Sequence, residues 1–396
     1  LEAAVAKTPE AAMDLMMRVW PAAIARVEEE VAEMQAIADA EKSGVKIEPW
    51  DYRYYAEKVR ADRYDLDMNE VKAYLQLDKI REGMFWAAGE TYGMSFTPVT
   101  NVPTQHPDVR VWEVKRNGAH LGLFYLDPYA RAGKRSGAWM NAYRSQQKLD
   151  GPVTPIVSNN SNFVKGAPGQ PVLISWDDAT TLFHEFGHAI HGLLSNVTYP
   201  SLSGTSVPRD YVEFPSQVNE AWLPTREVLS RFALHHETGE PMPQALAEKI
   251  EQASTFRQGF EVTEYLSSAL IDMKLHLAGG ADIDPDAFER EELAKLGMPA
   301  ELPMRHRTPQ FAHVFASDGY SAGYYSYLWA EVLSQDATEA FEESPGGMYD
   351  EGVAKRMVDH ILSVGDTVDQ AEAYRAFRGR DPDVGAYLRD KGFPVT

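Results

Sequence analysis

Two histidines separated by three residues constrain this chain more than any other feature of its sequence. His184 and His188 flank Glu185 in a segment that begins at Ser175. Ser175 is followed three residues later by Asp178, which is typical of a helix N-terminus, and apolar residues then recur at helical spacing. Helix positions four apart lie on one face, one turn from each other. The two imidazoles can therefore meet at one point, as a tetrahedral zinc ion requires.

Glu185 is placed for acid–base chemistry rather than for binding a metal. It follows His184 directly and so lies about 100° further around the helix. A carboxylate beside a zinc ion can take a proton from water that the ion has made more acidic, and can pass it to a leaving amine. The five-residue pattern also arises by chance, in which case both histidines would be ordinary surface residues of a helix.

Catalytic zinc needs a third protein ligand, and the run 203–220 offers several carboxylates. We predict Glu213, just before Pro215, as that ligand, on a second helix packed against the first. Asp210, one turn earlier, is predicted to accept a hydrogen bond from a ligand histidine. Glu220 is an alternative ligand, although a surface carboxylate is the favoured interpretation of that residue.

His191 shares a helix face with His188 and could be mistaken for a further ligand. It stands seven residues from His184, which is about 10 Å along the axis. Three histidines spread over that length cannot easily meet one small ion. We therefore predict that His191 supports the site from outside or packs between helices.

The spacing of apolar residues predicts a mostly helical chain. Thr8-Pro9 is typical of a helix start and Ser43-Gly44 of a helix end, with Pro21 expected to kink or split the helix between them. Further helices are predicted over 51–60, from 67, and over 225–235, 243–258, 261–276, 324–341 and 353–362.

One small sheet is predicted between these helical parts. Asn117-Gly118 indicates a hairpin that joins strands over 111–115 and 120–126. Two short apolar runs, 152–157 and 172–175, are expected to join the same antiparallel sheet.

The intervening stretch 159–169 is rich in Asn, Ser, Gly and Pro and is predicted to be a loop. No linker separates independent modules. We therefore predict one catalytic unit, with a helical segment over 1–100 and a zinc-binding region over 101–396.

Composition excludes several kinds of site. The absence of cysteine rules out disulfides, thiolate metal sites and a cysteine nucleophile. A net charge of −21, from 59 acidic and 38 basic residues, argues against a phosphate-binding surface and hence against a nucleic-acid partner. No window approaches the roughly 18 consecutive apolar residues of a membrane span, so we expect a soluble protein without a membrane partner.

The two most specific stretches of the sequence are H-E-F-G-H-A-I-H at 184–191 and S-G-T-S-V-P-R-D-Y-V-E-F-P-S-Q-V-N-E at 203–220. Together they resemble the thimet-oligopeptidase family of zinc metallopeptidases, and within it the bacterial peptidyl-dipeptidases. The resemblance continues through 48–55, 125–127, 136–140 and 311–329, and so covers nearly the whole chain.

The resemblance implies one zinc ion per chain, held by His184, His188 and Glu213, with Glu185 as the general base. It implies a mostly α, two-lobed, zincin-type fold around a deep substrate channel, with a small antiparallel sheet beside the active-site helix. Family members are longer, and the chain starts at Leu1 without a Met, as is typical of a piece of a longer protein. The missing N-terminal region or a second chain is therefore an expected partner. Cytoplasm is expected by resemblance, with periplasm as the alternative.

A tyrosine-rich segment at 311–329 supplies the remaining candidates. Tyr320, Tyr324 and Tyr327 recur at helical spacing, which by itself favours an aromatic core stripe. The resemblance instead implies that Tyr320 and His313 stabilise the oxyanion and that Tyr324 and Tyr327 bind substrate. The loop between His313 and Tyr320 looks slightly longer than in the family, so the tyrosines are the firmer prediction.

Release of C-terminal dipeptides requires an anchor for the terminal carboxylate, and arginine suits that task. Arg209 is our candidate, with Arg305 and Arg307 as alternatives, although each could equally form an ordinary surface salt bridge. We predict a zinc peptidase that removes dipeptides from the C-terminus of short peptides. The alternatives are an oligopeptidase that cleaves internally and a catalytically silent peptide-binding fragment.

Overall fold

The computed structural model describes residue 1 and residues 3–395 of the chain. Within these residues the chain forms α-helices and one five-stranded sheet, which confirms the predicted mostly helical architecture. The helices are α1 (Pro9–Ala40), α2 (Tyr52–Tyr64), α3 (Met68–Lys72), α4 (Leu77–Tyr92), α5 (Trp176–Leu194), α6 (Arg209–Glu220), α7 (Arg226–Phe232), α8 (Gln244–Gln252), α9 (Gln258–Leu277), α10 (Pro285–Lys295), α11 (Ala312–Phe315), α12 (Ser326–Glu342), α13 (Glu351–Met357), α14 (Gln370–Arg378) and α15 (Val384–Asp390). The strands are β1 (Met94–Val99), β2 (Arg110–Arg116), β3 (Ala119–Tyr129), β4 (Trp139–Arg144) and β5 (Ile156–Phe163). Among the described helices, none combines the length and the apolar character needed to cross a bilayer.

Helix α1 begins as the sequence predicts but is not split. Thr8 caps it, with its hydroxyl oxygen accepting a hydrogen bond from the Ala11 amide at 3.2 Å. The helix continues through Pro21, although an interior proline costs about 3 kcal/mol. Buried residues of α1 such as Trp20 pack in one cluster with α9 residues such as Leu266, and this packing holds the helix together across the proline.

The remaining predicted helices are present with shifted ends. α7 and α8 are shorter than predicted, and α9 extends slightly beyond both predicted ends. The predicted helix over 353–362 is α13 followed by a π-helical turn at Val358–Leu362. The predicted helix from 324 begins only at Ser326, because the residues before it form turns.

The sheet is mixed, which corrects the prediction of an antiparallel sheet. Its strand order is β1-β2-β3-β5-β4, and β3 and β5 run parallel while the other neighbours are antiparallel. β5 lies between β3 and β4, which run in opposite directions, so it can be antiparallel to only one of them. The predicted hairpin is confirmed: Asn117 and Gly118, with φ of 49° and 83°, join β2 to β3.

The polar stretch predicted as a loop is partly a strand. β5 takes in residues 156–163, and Ser158 to Ser161 are almost completely buried. Some of these polar groups find partners inside the protein: the Asn159 amide donates to the Glu185 carbonyl oxygen at 2.7 Å, and the Asn160 amide donates to the Ser158 hydroxyl oxygen at 3.2 Å. The run 172–175 is not a strand of the sheet, since Leu173 forms only an isolated bridge with Gln76.

Helices α5 and α6 approach each other unusually closely at Gly187. A Cβ atom at this position would lie 2.6 Å from the Ser216 Cα and 2.8 Å from the Asn219 Cβ, so only glycine fits. Asn219 also donates to the Phe183 carbonyl oxygen at 2.6 Å across the same contact. On its other side α5 buries Phe186 against Phe124 of β3. Helix α5 is therefore packed between the sheet and α6.

We predict that Gly187→Ala destabilises the protein by about 1–3 kcal/mol, because the added methyl group overpacks the helix contact. The free energy of unfolding from urea denaturation measures this. Gly280→Ala is the control, since a Cβ there meets no atom within 4 Å. Equal stability of the two variants would contradict the close contact.

Candidate metal centre

The three side chains predicted as metal ligands meet in the structure. The Glu213 Oε2 atom lies 3.0 Å from the His188 Nε2 atom and 3.2 Å from the His184 Nε2 atom. The two imidazole rings stand nearly perpendicular, with centroids 5.1 Å apart. Within the part of the chain that the structure describes, this is the one group of three or more acidic, histidine or cysteine residues arranged to hold a metal ion.

The geometry of this group suits a tetrahedrally bound divalent ion. Ligand atoms about 2.1 Å from a tetrahedral zinc ion would lie about 3.4 Å from one another. The observed separations from the carboxylate oxygen are slightly shorter, and all ligand atoms lie within 4.8 Å of one another. Two imidazole nitrogens and one carboxylate oxygen are also the donor types that zinc accepts. The residues present therefore fit a metal ion.

Local structure explains why these side chains converge. Ser175 and Asp178 form the predicted capping box, each side chain bonding the other's backbone amide, and this fixes the start of α5. Further along α5, His184 and His188 lie one turn apart and face Glu213 of α6. On α6, the Ser216 hydroxyl donates to the Glu213 Oε2 atom at 3.2 Å, which holds that carboxylate in place.

Glu220, not Asp210, supports a ligand histidine. The His184 Nδ1 atom lies 2.7 Å from the Glu220 Oε1 atom, which leaves the Nε2 atom facing Glu213. The prediction for Asp210 is wrong because its carboxylate, on α6 before Glu213, accepts hydrogen bonds from other partners. One signal was available in the sequence: Glu213 and Glu220 are seven residues apart and so share a helix face.

Asp210 instead ties three segments together while fully buried. Its carboxylate accepts hydrogen bonds from the Val5 and Ala6 amides at 2.9 and 2.8 Å. It also accepts one from the Tyr325 hydroxyl at 2.9 Å. Sequence reasoning missed this role, since nothing local indicates that residues so distant along the chain meet.

The electrostatics of the group favour a bound cation. Burial alone would lower the pKa of His184, but the carboxylates of Glu213 and Glu220 outweigh it and hold that pKa well above its usual value. Burial would likewise raise the pKa of Glu213, but His188 and His184 hold it well below its usual range. The carboxylate is thus ionised, and the site attracts positive charge, which a divalent ion supplies.

Glu185 is buried beside the group, and its Oε2 atom has no hydrogen-bond partner among the described residues. Burial raises the pKa of this carboxyl group, while His188 and His184 act in the opposite direction. A buried carboxylate oxygen without a partner is costly unless it serves a ligand or a reaction. Glu185 is therefore free to bond a molecule that enters the site.

His191 packs inside the protein and does not join the group. It is fully buried, and neither ring nitrogen has a hydrogen-bond partner in the described part of the chain. Burial lowers its pKa to about 3, so the ring stays neutral. Of the two roles predicted for His191, the structure therefore favours packing.

The tyrosine-rich segment reaches the group through a chain of hydrogen bonds. The Tyr320 hydroxyl donates to the Glu213 Oε1 atom at 3.2 Å, and the Tyr327 hydroxyl donates to the Tyr320 oxygen at 3.1 Å. The His313 Nε2 atom lies 3.2 Å from the Tyr327 oxygen. Tyr324 makes ring contacts with His313, with centroids 5.7 Å apart. The structure thus brings together all four predicted side chains.

Despite their helical spacing in the sequence, Tyr320 and Tyr324 do not lie on a helix. Residues 320–325 form turns, and Ala322 has a φ of 52°, in the left-handed region that alanine rarely adopts. This turn orients Tyr320 toward Glu213. Tyr327, which lies at the start of α12, stacks on the Tyr320 ring, with the two ring centroids 5.6 Å apart.

The tyrosines of this segment are hydrogen-bond donors at neutral pH. Burial and the nearby Glu213 raise the pKa of Tyr320, and burial raises the pKa of Tyr324 to about 12. The His313 pKa is lowered, chiefly by burial, so that its ring tends to be neutral.

Of the three candidate arginines, Arg209 lies against Tyr320. Its guanidinium stands 4.6 Å from the centre of the Tyr320 ring. Arg305 pairs with Glu264 at 3.5 Å. Arg307 pairs with Asp286 at 2.8 Å and also with Glu289.

Comparison with known proteins identifies relatives over almost the whole chain. A family profile described as Peptidase family M3 matches residues 1–393. The chain is similar to the dipeptidyl carboxypeptidases of Escherichia coli K12 and Salmonella typhimurium LT2, at 42% identity in both cases. These matches cover 99% and 98% of this chain, and 58% and 57% of the relatives. It is also similar to oligopeptidase A of Escherichia coli K12, at 36% identity over 98% of this chain and 58% of the relative. The chain thus spans somewhat more than half the length of these curated relatives.

We predict that Glu220→Gln weakens Zn²⁺ binding about 10- to 100-fold, because it removes the charged partner that orients His184. A competition titration with a chelating dye measures the dissociation constant. Glu113→Gln is the matched control, since Glu113 bonds the His120 Nδ1 atom at 3.0 Å, on the β2–β3 hairpin. Unchanged affinity in the Glu220 variant would contradict the role given to this contact.

Proposed function

The chain belongs to peptidase family M3, and from that membership and the geometry of its site we propose that it is the catalytic part of a zinc-dependent peptidyl-dipeptidase. Its reaction is the hydrolysis of peptide bonds in short peptides, with release of C-terminal dipeptides. One observation carries the proposal: two histidine nitrogens and a glutamate oxygen converge beside a buried carboxylate that has no partner within the described structure.

In this proposal His184, His188 and Glu213 hold one zinc ion. The ion, when bound, supplies Lewis-acid chemistry: it makes water more acidic and polarises a carbonyl group. Glu220 holds the His184 ring so that its Nε2 atom faces the site, and Ser216 does the same for the Glu213 carboxylate. The separations between the ligand atoms support this assignment, as does the ionised state of Glu213.

Glu185 is the general base and acid of the proposed reaction. Its Oε2 atom takes a proton from water as the water oxygen attacks the scissile carbonyl carbon. The same carboxyl group then gives the proton to the leaving amine, so that one residue serves both steps. Burial raises the pKa of Glu185, which makes its carboxylate a stronger base and supports this role.

Tyr320 stabilises the negative charge that develops on the former carbonyl oxygen. Its hydroxyl already lies at the site, bonded to Glu213, and needs only to turn toward the substrate oxygen. Tyr327 bonds the Tyr320 oxygen and His313 bonds Tyr327, which orients this donor. His313 therefore acts through Tyr327 and helps Tyr320 to stabilise the same negative charge.

The dipeptide end of the substrate is bound by Tyr324, Tyr327 and Arg209 in this proposal. The Arg209 guanidinium lies over the Tyr320 ring, 4.6 Å from its centre, and Arg209 is exposed. A guanidinium can bind a terminal carboxylate through two parallel hydrogen bonds. Recognition of that carboxylate places the scissile bond two residues from the C-terminus.

A second candidate is an oligopeptidase that cleaves within peptides. The similarity to oligopeptidase A favours it, and the same residues would carry the chemistry. The two functions differ only in whether a free C-terminal carboxylate is required. Mass spectrometry of the products from one peptide, with a free and with an amidated C-terminus, separates them.

We predict that Glu185→Gln lowers kcat roughly 10²- to 10⁴-fold, the usual contribution of a general acid–base group. Zinc content should stay at one ion per chain, because Glu185 is not a ligand in this proposal. Chelator should abolish the activity of the unaltered protein, and added Zn²⁺ should restore it. A Glu185→Gln variant that retains full activity would contradict the mechanism.

We further predict that Arg209→Met lowers kcat/KM for a free-acid peptide by roughly 10- to 100-fold, since hydrogen bonds to charged groups contribute about 1.5–3 kcal/mol. Cleavage of the corresponding C-terminal amide should change little. Arg305→Met serves as the control, because Arg305 already pairs with Glu264. An unchanged preference for the free acid would eliminate Arg209 as the anchor.

A further inference from the structure

Two residues on α9 hold the backbone of the tyrosine-rich turn, although neither contacts the metal ligands. Asp272 is almost completely buried, and Tyr265 lies seven residues before it, so both share one face of α9. Nothing in the chemistry described above uses either side chain.

Asp272 bonds both ends of the strained part of the turn. Its Oδ1 atom accepts a hydrogen bond from the Ala322 amide at 2.9 Å, and its Oδ2 atom accepts one from the Tyr324 amide at 3.0 Å. Ala322 has a φ of 52°, which is unfavourable for a residue with a Cβ atom. Such a conformation persists only when its surroundings enforce it. Asp272 supplies that enforcement through two charge-assisted hydrogen bonds.

Tyr265 continues the same restraint toward α12. Its hydroxyl donates to the Tyr324 carbonyl oxygen at 2.6 Å and accepts from the Leu328 amide at 3.0 Å. The backbone is thereby bonded to α9 at Ala322, Tyr324 and Leu328, on both sides of Tyr327. Tyr320, bonded through its hydroxyl to Glu213, is two residues before the first of these points.

We propose that Asp272 and Tyr265 are positioning residues for the reaction, and that they act by fixing where the Tyr320 and Tyr327 hydroxyls lie. This inference rests on the function proposed above. The Tyr320–Glu213 hydrogen bond is already 3.2 Å long, so a shift of the turn by about 1 Å would break it. Misplacement of a reacting group by about 1 Å can lower a rate by about 100-fold.

Asp272→Asn tests the proposal because it preserves the shape of the side chain. It replaces one of the two acceptor oxygens by an NH₂ group, which cannot accept a hydrogen bond from the backbone amide that it faces. We expect kcat/KM to fall roughly 10- to 100-fold, mainly through kcat, with zinc content unchanged. Hydrogen exchange measured by mass spectrometry should become faster in the peptide that covers 320–328. Tyr265→Phe, a milder change, should alter both measurements in the same direction and to a smaller extent.

Asp336→Asn is the matched control. Asp336 is also fully buried and accepts hydrogen bonds from the Tyr374 hydroxyl at 2.6 Å and from Arg378 at 3.3 Å. It bonds no residue of the turn. This variant should lose thermal stability while keeping kcat/KM and the exchange rate of 320–328. A merely structural role for Asp272 would make the two variants alike.

A double-mutant cycle separates positioning from an independent effect. If Asp272 acts through Tyr320, then Asp272→Asn should reduce the activity of a Tyr320→Phe protein far less than it reduces that of the unaltered protein. Fully additive losses would overturn the proposal. If the unaltered protein cleaves no peptide, the proposed function fails, and exchange in 320–328 still decides whether Asp272 and Tyr265 hold the turn. Unchanged hydrogen exchange in the Asp272→Asn and Tyr265→Phe variants would show that these residues do not hold the turn, and would overturn the proposal.

Discussion

The close contact between α5 and α6 at Gly187 is the constraint on which the rest of the structure depends. The three candidate ligands of the metal site come from α5 and α6, so their side chains can meet only if the two helices pack closely. A glycine on α5, facing the Ser216 Cα and Asn219 side chain of α6, permits that approach. The sheet on the far side of α5 then fixes the helix, through Phe186 in the core and through Asn159 on the Glu185 carbonyl. Geometry at the metal site is thus set by backbone packing rather than by the ligands alone.

Around this contact, buried and partly buried acidic side chains serve either the chemistry of the site or its support. Glu213 and Glu185 face the site, and Glu220 orients a histidine from behind. Asp210 and Asp272 instead bond backbone amides and a tyrosine hydroxyl of the adjoining segments. Burying a carboxylate is costly unless charged or polar groups satisfy it, so Asp210 and Asp272 each specify which segments must meet. Acidic residues therefore also hold together the segments that surround the site.

Most of the metal centre could be predicted from sequence because it depends on residues that are close together along the chain. The spacing of His184 and His188 is fixed by helix geometry, the capping box sets where α5 starts, and Asn117-Gly118 sets the hairpin. The run 203–220 already favoured Glu213 as the third ligand, and the family resemblance supported it and supplied the roles of the tyrosines. Other features depend on contacts between distant residues and could not be predicted in the same way. Among them are the pairing of Glu220 with His184, the segments joined by Asp210, the turn at Ala322, and the parallel pairing of β3 with β5.

The placement of β5 links the sheet to the helix that carries Glu185. β4 follows β3 in sequence, but the two strands are not neighbours in the sheet, because β5 lies between them. Without β5, β3 would present an open edge that other chains could pair with. Asn159 lies on β5 and bonds the backbone of Glu185. The strand that covers the β3 edge is therefore also the strand that holds α5 at Glu185.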